Sequence, residues 1–188
     1  MVRQYSLALN RLVERVPAPE RSDERRQDIA ICIMVAVTMV EVFVNAYFQA
    51  LIQHEPFAIH RAWIMRDLQD RRSLSRKLLD WPRAVFGRTI DEADPKVRQF
   101  RDVLRLRNDL VPFRREEGRM RLGDQAVRMI DTAAFDCLTV DDAVRAANSA
   151  YAAIHWVLGC VSSDQAQVEV AMADWTSTGP SELGSGLV

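Results

Sequence analysis

Arg107 and Asn108 stand side by side near the end of a charged, leucine-rich run, with Pro112 shortly after them and Arg114 and Arg115 just beyond. A guanidinium is a planar fork that grips phosphate through two parallel hydrogen bonds, and an asparagine amide adds neutral hydrogen bonds for orientation. Together these residues predict a helix end suited to phosphate, with Pro112 disfavouring its continuation. A second polar pair, Glu41 and Asn45, lies four residues apart and so shares a helix face, among Val40, Val42, Phe43, Val44 and Phe48. A carboxylate in such surroundings needs a partner, and an arginine from elsewhere in the chain is the expected one. A solvated helix edge for Glu41 is the alternative.

Other chemistry is sparse. His54, His60 and His155 are scattered, without metal-site spacing, and read as structural or surface residues. Cys32, Cys137 and Cys160 are odd in number, widely spaced and set among apolar neighbours, so they read as buried free thiols. There is no glycine-rich phosphate loop, nucleophile elbow or zinc-protease motif. No cofactor and no metal are expected.

The elements that must position the polar residues are helices. Val2, Tyr5, Leu9, Leu12, Val13 and Val16 recur at three and four, and Pro17 ends that stripe. Ser22, with Asp23 and Glu24, starts a long second helix reaching about His54, the expected central pillar. A third helix is expected from Ala58 to about Asp70, a short fourth over Ser73 to Leu79, and an irregular connection over residues 80 to 93. Asp94 as N-cap with Pro95 at the first helical position opens the helix that carries Arg107. Residues 119 to 138 give a mixed signal, with brief alternation at Met120 and Leu122 and a short helix expected after Asp124. Thr139 with Asp142 resembles a capping box and opens the last strong helix, lined by Ala143, Ala147, Tyr151, Ile154 and Leu158. The expected fold is all-α, a bundle of about five helices in one domain over residues 1 to 175, with a disordered tail at 176 to 188.

With 188 residues, 48% of them hydrophobic and 27% charged, the chain has the composition of an ordinary globular domain. Its net charge of −1 hides an asymmetry: residues 1 to 115 carry 21 basic and 15 acidic side chains, residues 116 to 188 only 4 and 11. Lys77 and Lys96 are the only lysines. That arginine bias fits an RNA-facing surface and is equally explained by genome base composition. The apolar run from Ile29 to Ile52 is interrupted by Glu41 and Asn45, so it reads as a core helix and not a membrane span. The N-terminus lacks a secretory-signal pattern, and the expected location is the cytoplasm.

The run Phe100-Arg101-Asp102-Val103-Leu104-Arg105-Leu106-Arg107-Asn108-Asp109-Leu110-Val111, with the upstream stretch from Val37 to Asn45, resembles the HEPN (higher eukaryotes and prokaryotes nucleotide-binding) superfamily. The resemblance covers about residues 25 to 160. It implies a small helical bundle, commonly homodimeric, of a kind that often serves as a metal-independent ribonuclease in toxin-antitoxin, phage-defence and other RNA-processing systems. In that pattern an arginine, usually followed by a polar residue, precedes a histidine after a gap of several residues. Histidine near its ordinary pKa of ~6.5 moves the proton of a ribose 2′-hydroxyl while arginine stabilises transition-state charge. In the family the two motifs meet across a dimer interface.

Five positions after Arg107, where the family histidine would stand, this chain has Pro112. Proline offers no ionisable group and no N–H, and no histidine occurs between residues 61 and 154. The resemblance therefore implies a degenerate motif in which Arg107 and Asn108 persist without their acid-base partner. Arg107, Asn108, Arg114 and Arg115 become the expected RNA- or partner-binding surface of a non-catalytic dimer, with Glu41 and Asn45 as a supporting polar network. An active ribonuclease recruiting His54, His60 or another group, and a purely structural antitoxin-like module in which Arg107 only neutralises Glu41, are the alternatives. RNA, a second copy of the chain and a toxin or antitoxin protein are the expected partners.

Overall fold

The computed structural model describes residues 1–17, 22–88, 91–110, 119–122, 125–128 and 133–176. Among them are eight α-helices: α1 (Val2–Arg15), α2 (Ser22–Leu51), α3 (Arg61–Gln69), α4 (Leu74–Phe86), α5 (Pro95–Asp109), α6 (Ala133–Asp136), α7 (Val140–Gly159) and α8 (Gln165–Thr176). A 3-10 segment, Glu55–His60, links α2 to α3. The fold is an all-α bundle. One small exception is an antiparallel pair, β1 (Arg119–Leu122) with β2 (Gln125–Arg128), where a helix was expected after Asp124. In this pair Leu122 is the register partner of Gln125, and Arg119 that of Arg128.

The five helices that pack most extensively on one another, α1, α2, α5, α7 and α8, form the bundle proper. The pillar is α2, whose 30 residues span about 45 Å. Parallel to it runs α7, whose alanines at 143, 146, 147 and 150 are buried and let the two backbones approach closely. The Cys32 thiol on α2 donates to the Ala143 carbonyl at 3.7 Å. Running the other way, α1 is held to α2 by a two-pronged Arg15–Asp28 ion pair. It is held to α7 by the Tyr151 hydroxyl, which donates to Asn10 Oδ1 at 2.9 Å and stands 2.7 Å from Ser6 Oγ. By length and composition α2 passes as a membrane span, with a mean hydropathy of 2.3 over its most apolar window. Half of that window is buried in the bundle.

Several sequence expectations need correction. The segment over residues 80 to 93 is not irregular throughout: α4 continues through Trp81 and Pro82 to Phe86, and Gly87 closes it in the left-handed conformation at φ 66°. An internal proline costs roughly 3 kcal/mol, which full burial of Trp81 and an indole hydrogen bond to Asp67 Oδ2 at 3.0 Å offset. Cys137 is exposed, whereas Cys32 and Cys160 are buried as expected. The helix α8 follows the last helix expected. It is capped by Asp164, which accepts from Ala166 N at 3.0 Å, and it buries Val168 and Met172. Its Trp175 meets Phe43 edge-on at 5.2 Å. The tail expected at 176 to 188 lies outside the described residues, apart from Thr176, which ends α8 and is buried.

Burial pushes the Cys32 thiol up to about 12 and the Cys160 thiol to about 11, from an ordinary 9.0. A folded pKa above the unfolded one stabilises fully below pH 9 and is lost as pH climbs through the folded values. Each group then removes up to about 1.4 kcal/mol per pH unit. The urea midpoint is expected to fall between pH 9 and pH 10.5. Comparing the parent chain with Cys32→Ala checks this, since the variant should show a visibly shallower fall.

Candidate functional site

The helix carrying the Arg-Asn pair starts as its sequence dictates. Asp94 Oδ1 accepts from Lys96 N at 2.8 Å, and Pro95 occupies the first helical position. Phe100, Val103 and Leu104 anchor α5 in the core, against α7 and α2. Its last turn carries Arg107 and Asn108, both half-buried. The Nε of Arg107 is buried and has no hydrogen-bond partner among the described residues. A buried donor without an acceptor costs roughly 1–3 kcal/mol, so an anion arriving at this guanidinium would meet a donor already stripped of water. The outer flank of α5 adds Arg98 and Arg105; Arg105 reaches back to Asp102 at 3.2 Å. Pro112, Arg114 and Arg115 lie outside the described residues.

The end of α5 can be placed along the bundle. A shallow recess brings Leu106 and Asp109 together with Ala134 of α6 and with Asp142 and Arg145 at the start of α7. Arg26, near the start of α2, pairs with Asp136 of α6 at 3.7 Å. The Arg-Asn pair thus sits toward the beginning of α2. His54 and His60 lie past the other end of α2, roughly 30–40 Å away at 1.5 Å per residue. Within one chain neither histidine reaches Arg107, so recruiting one of them requires a second chain. His155 points elsewhere, with Nε2 3.0 Å from Gln165 Nε2 and 3.4 Å from Glu169 Oε1.

Glu41 and Asn45 are met by a lysine and not by an arginine. Lys77, on α4, donates from Nζ to Asn45 Oδ1 at 2.9 Å and approaches Glu41 Oε1 at 3.9 Å. Its side chain is 3% exposed, whereas that of Glu41 is 40% exposed. Both expectations for Glu41 are therefore partly met: it has a cationic partner and it also keeps an edge in water. Arg107 makes no ion pair or hydrogen bond with Glu41 or Asn45, which removes the form of the structural reading in which Arg107 serves to neutralise Glu41.

No protein-family model, curated protein or solved structure matches this chain.

The Lys77 cluster continues inward. Its ammonium stands 5.5 Å from the centre of the Trp81 ring, and Trp81 in turn donates to Asp67, whose second oxygen lies 3.5 Å from Arg72 Nε. Burial pulls Lys77 below its ordinary 10.5, opposed by the carboxylates of Glu41 and Asp67. A charge held in this way ties α2, α3 and α4 into one polar knot. The sequence did contain its signal: Leu74, Lys77, Leu78 and Trp81 share one helix face, and all four are buried. Among the described residues, no group of three His, Cys, Asp or Glu side chains is placed to hold a metal ion.

Proposed function

We propose that this chain is a HEPN-like helical bundle with a degenerate ribonuclease motif, acting as a non-catalytic RNA-binding dimer. The observation that carries the reading is the Arg107-Asn108 pair on the last turn of α5, where the Arg107 Nε is buried and unpartnered among the described residues. Arginine in that state is poised for a phosphate, and the neighbouring amide can orient it. The all-α architecture agrees with the sequence resemblance, and Pro112 at the histidine position argues for binding without turnover. Dimerisation has support from one stripe of α2 that the core covers only in part. Ile31 is 46% exposed and Met34 38% exposed, with Val35 and Val42 half-buried along the same face.

RNA binding by the parent chain is expected to be micromolar at low salt and to weaken as salt rises, because phosphate contacts release counterions. Arg107→Ala should reduce affinity about tenfold, the loss of one charge-assisted pair. Fluorescence anisotropy with a mixed single-stranded RNA, alongside thermal melts of both proteins, is the test. A sharp drop in melting temperature with no RNA binding by the parent would sink the proposal. Light scattering at micromolar concentration tests the dimer, and a monodisperse monomer would count against it.

A further inference from the structure

A cavity of about 640 Å³ lies away from the Arg-Asn pair. It opens where helices diverge: α4 leans on α2 and the 3-10 segment, while α5 leans on α7 and α2, and neither closes the space between them. Its walls are apolar and partly aromatic, formed by Leu78 of α4, Val97, Phe100 and Leu104 of α5, and Tyr151 and Trp156 of α7. The small side chains of Ala152 and Ala153 leave the α7 wall shallow. Tyr151 contributes its ring alone, because its hydroxyl is tied to Asn10 and Ser6 on α1.

The rim is polar and carries Lys96, Arg101 and Asp94. Asp94, the one rim carboxylate, is engaged in capping Lys96 N. Arg101 reaches Glu92 at 2.6 Å, and His155 faces Glu169 and Gln165. Lys96 is exposed and has no ion pair among the described residues. Along α5, Lys96 and Arg101 flank the apolar stripe of Val97, Phe100 and Leu104, so cations border the pocket on both sides. Asn148 and Ser75 supply neutral hydrogen bonds.

We propose that this cavity binds a small organic anion with an apolar body and a carboxylate head, the body lying between α4, α5 and α7 and the head meeting Lys96. Its size falls in the range of roughly 300–1,000 Å³ that suits drug-sized ligands. A docked helix, about 10–12 Å across, would need a groove open along its length, whereas elements bound this space on several sides. Three features thus converge on one ligand class: volume, aromatic walls and the exposed Lys96 ammonium at the rim.

The test is a titration of the full chain with 8-anilinonaphthalene-1-sulfonate, followed by displacement with decanoate, decanol and decylamine. Saturable dye binding is expected, with decanoate displacing it about fivefold better than decanol and decylamine weakest. Ala152→Trp, which fills the space, should abolish dye binding while leaving the helical circular dichroism intact. Lys96→Glu, at an exposed position that keeps the idea testable if Ala152→Trp does not fold, should weaken decanoate about fivefold and leave decanol unchanged. Absence of saturable binding, undiminished binding in a folded Ala152→Trp variant, or decylamine competing as well as decanoate would overturn the proposal.

Discussion

A Pro112→His variant is expected to cleave single-stranded RNA in the presence of a metal chelator, about 10² to 10⁴ times faster than the parent chain. The argument rests on what one residue supplies. Histidine restores a group that titrates near pH ~6.5 at the position five after Arg107, and it returns a backbone N–H that proline lacks. The rate should peak near neutral pH, because one histidine of a cooperating pair must be neutral to take a proton and another charged to give one. Arg107→Ala in the same background is expected to return cleavage to the parent level, since transition-state charge then lacks its fixed cation. A quenched fluorescent RNA read at several pH values measures all of this. Continued inactivity of a folded Pro112→His variant would mean that the site lacks more than its histidine.

The sequence disclosed the fold where local rules and packing agree. Asp94-Pro95 and the Thr139-Asp142 capping box are satisfied within the first turn of their own helices, so they were readable without any tertiary knowledge; Thr139 N donates to Asp142 Oδ2 at 2.8 Å. The stripes of α1 and α7 were readable because one face of each is buried and the other is not. Reading failed where distant contacts decide. Trp81-Pro82 has the composition of a helix stop, and only the burial of Trp81 against Phe48 and its bond to Asp67 carry α4 past it. The short α8 has a weak stripe, yet Asp164 followed by Val168 and Met172 was a usable cap-and-spacing signal. Of the candidate site, the Arg-Asn pair and the shared face of Glu41 and Asn45 were legible. The identity of their partners was not, since pairing Asn45 with Lys77 spans 32 positions of chain and depends on how α4 is laid across α2.

That pairing predicts an unusual order of stabilities. Asn45→Leu is expected to lower unfolding free energy by about 2–4 kcal/mol, because it leaves a buried ammonium with only the more distant Glu41 oxygen. Lys77→Met, which removes the charge together with its demand for partners, should be neutral or stabilising by about 1–3 kcal/mol. Glu41 tolerates that change because it keeps contact with water, and Asp67 retains Trp81 and Arg72. The double variant should then recover most of what Asn45→Leu loses, a positive coupling that a double-mutant cycle of urea midpoints resolves. The pH dependence has a definite sign. The folded pKa of Lys77 is depressed, so the unfolded chain binds more protons in the window just below 10.5, and this residue's cost eases as pH rises through it. Asn45→Leu removes the acceptor that favours the charged form, which lowers the folded pKa further and extends the window downward. Below pH 9, before the buried thiols act in the opposite direction, Asn45→Leu should therefore gain stability with pH more steeply than the parent, and Lys77→Met should show no such gain. Equal losses in Asn45→Leu and Lys77→Met would show instead that the ammonium is a net source of stability, with Glu41 and Asp67 outweighing its burial.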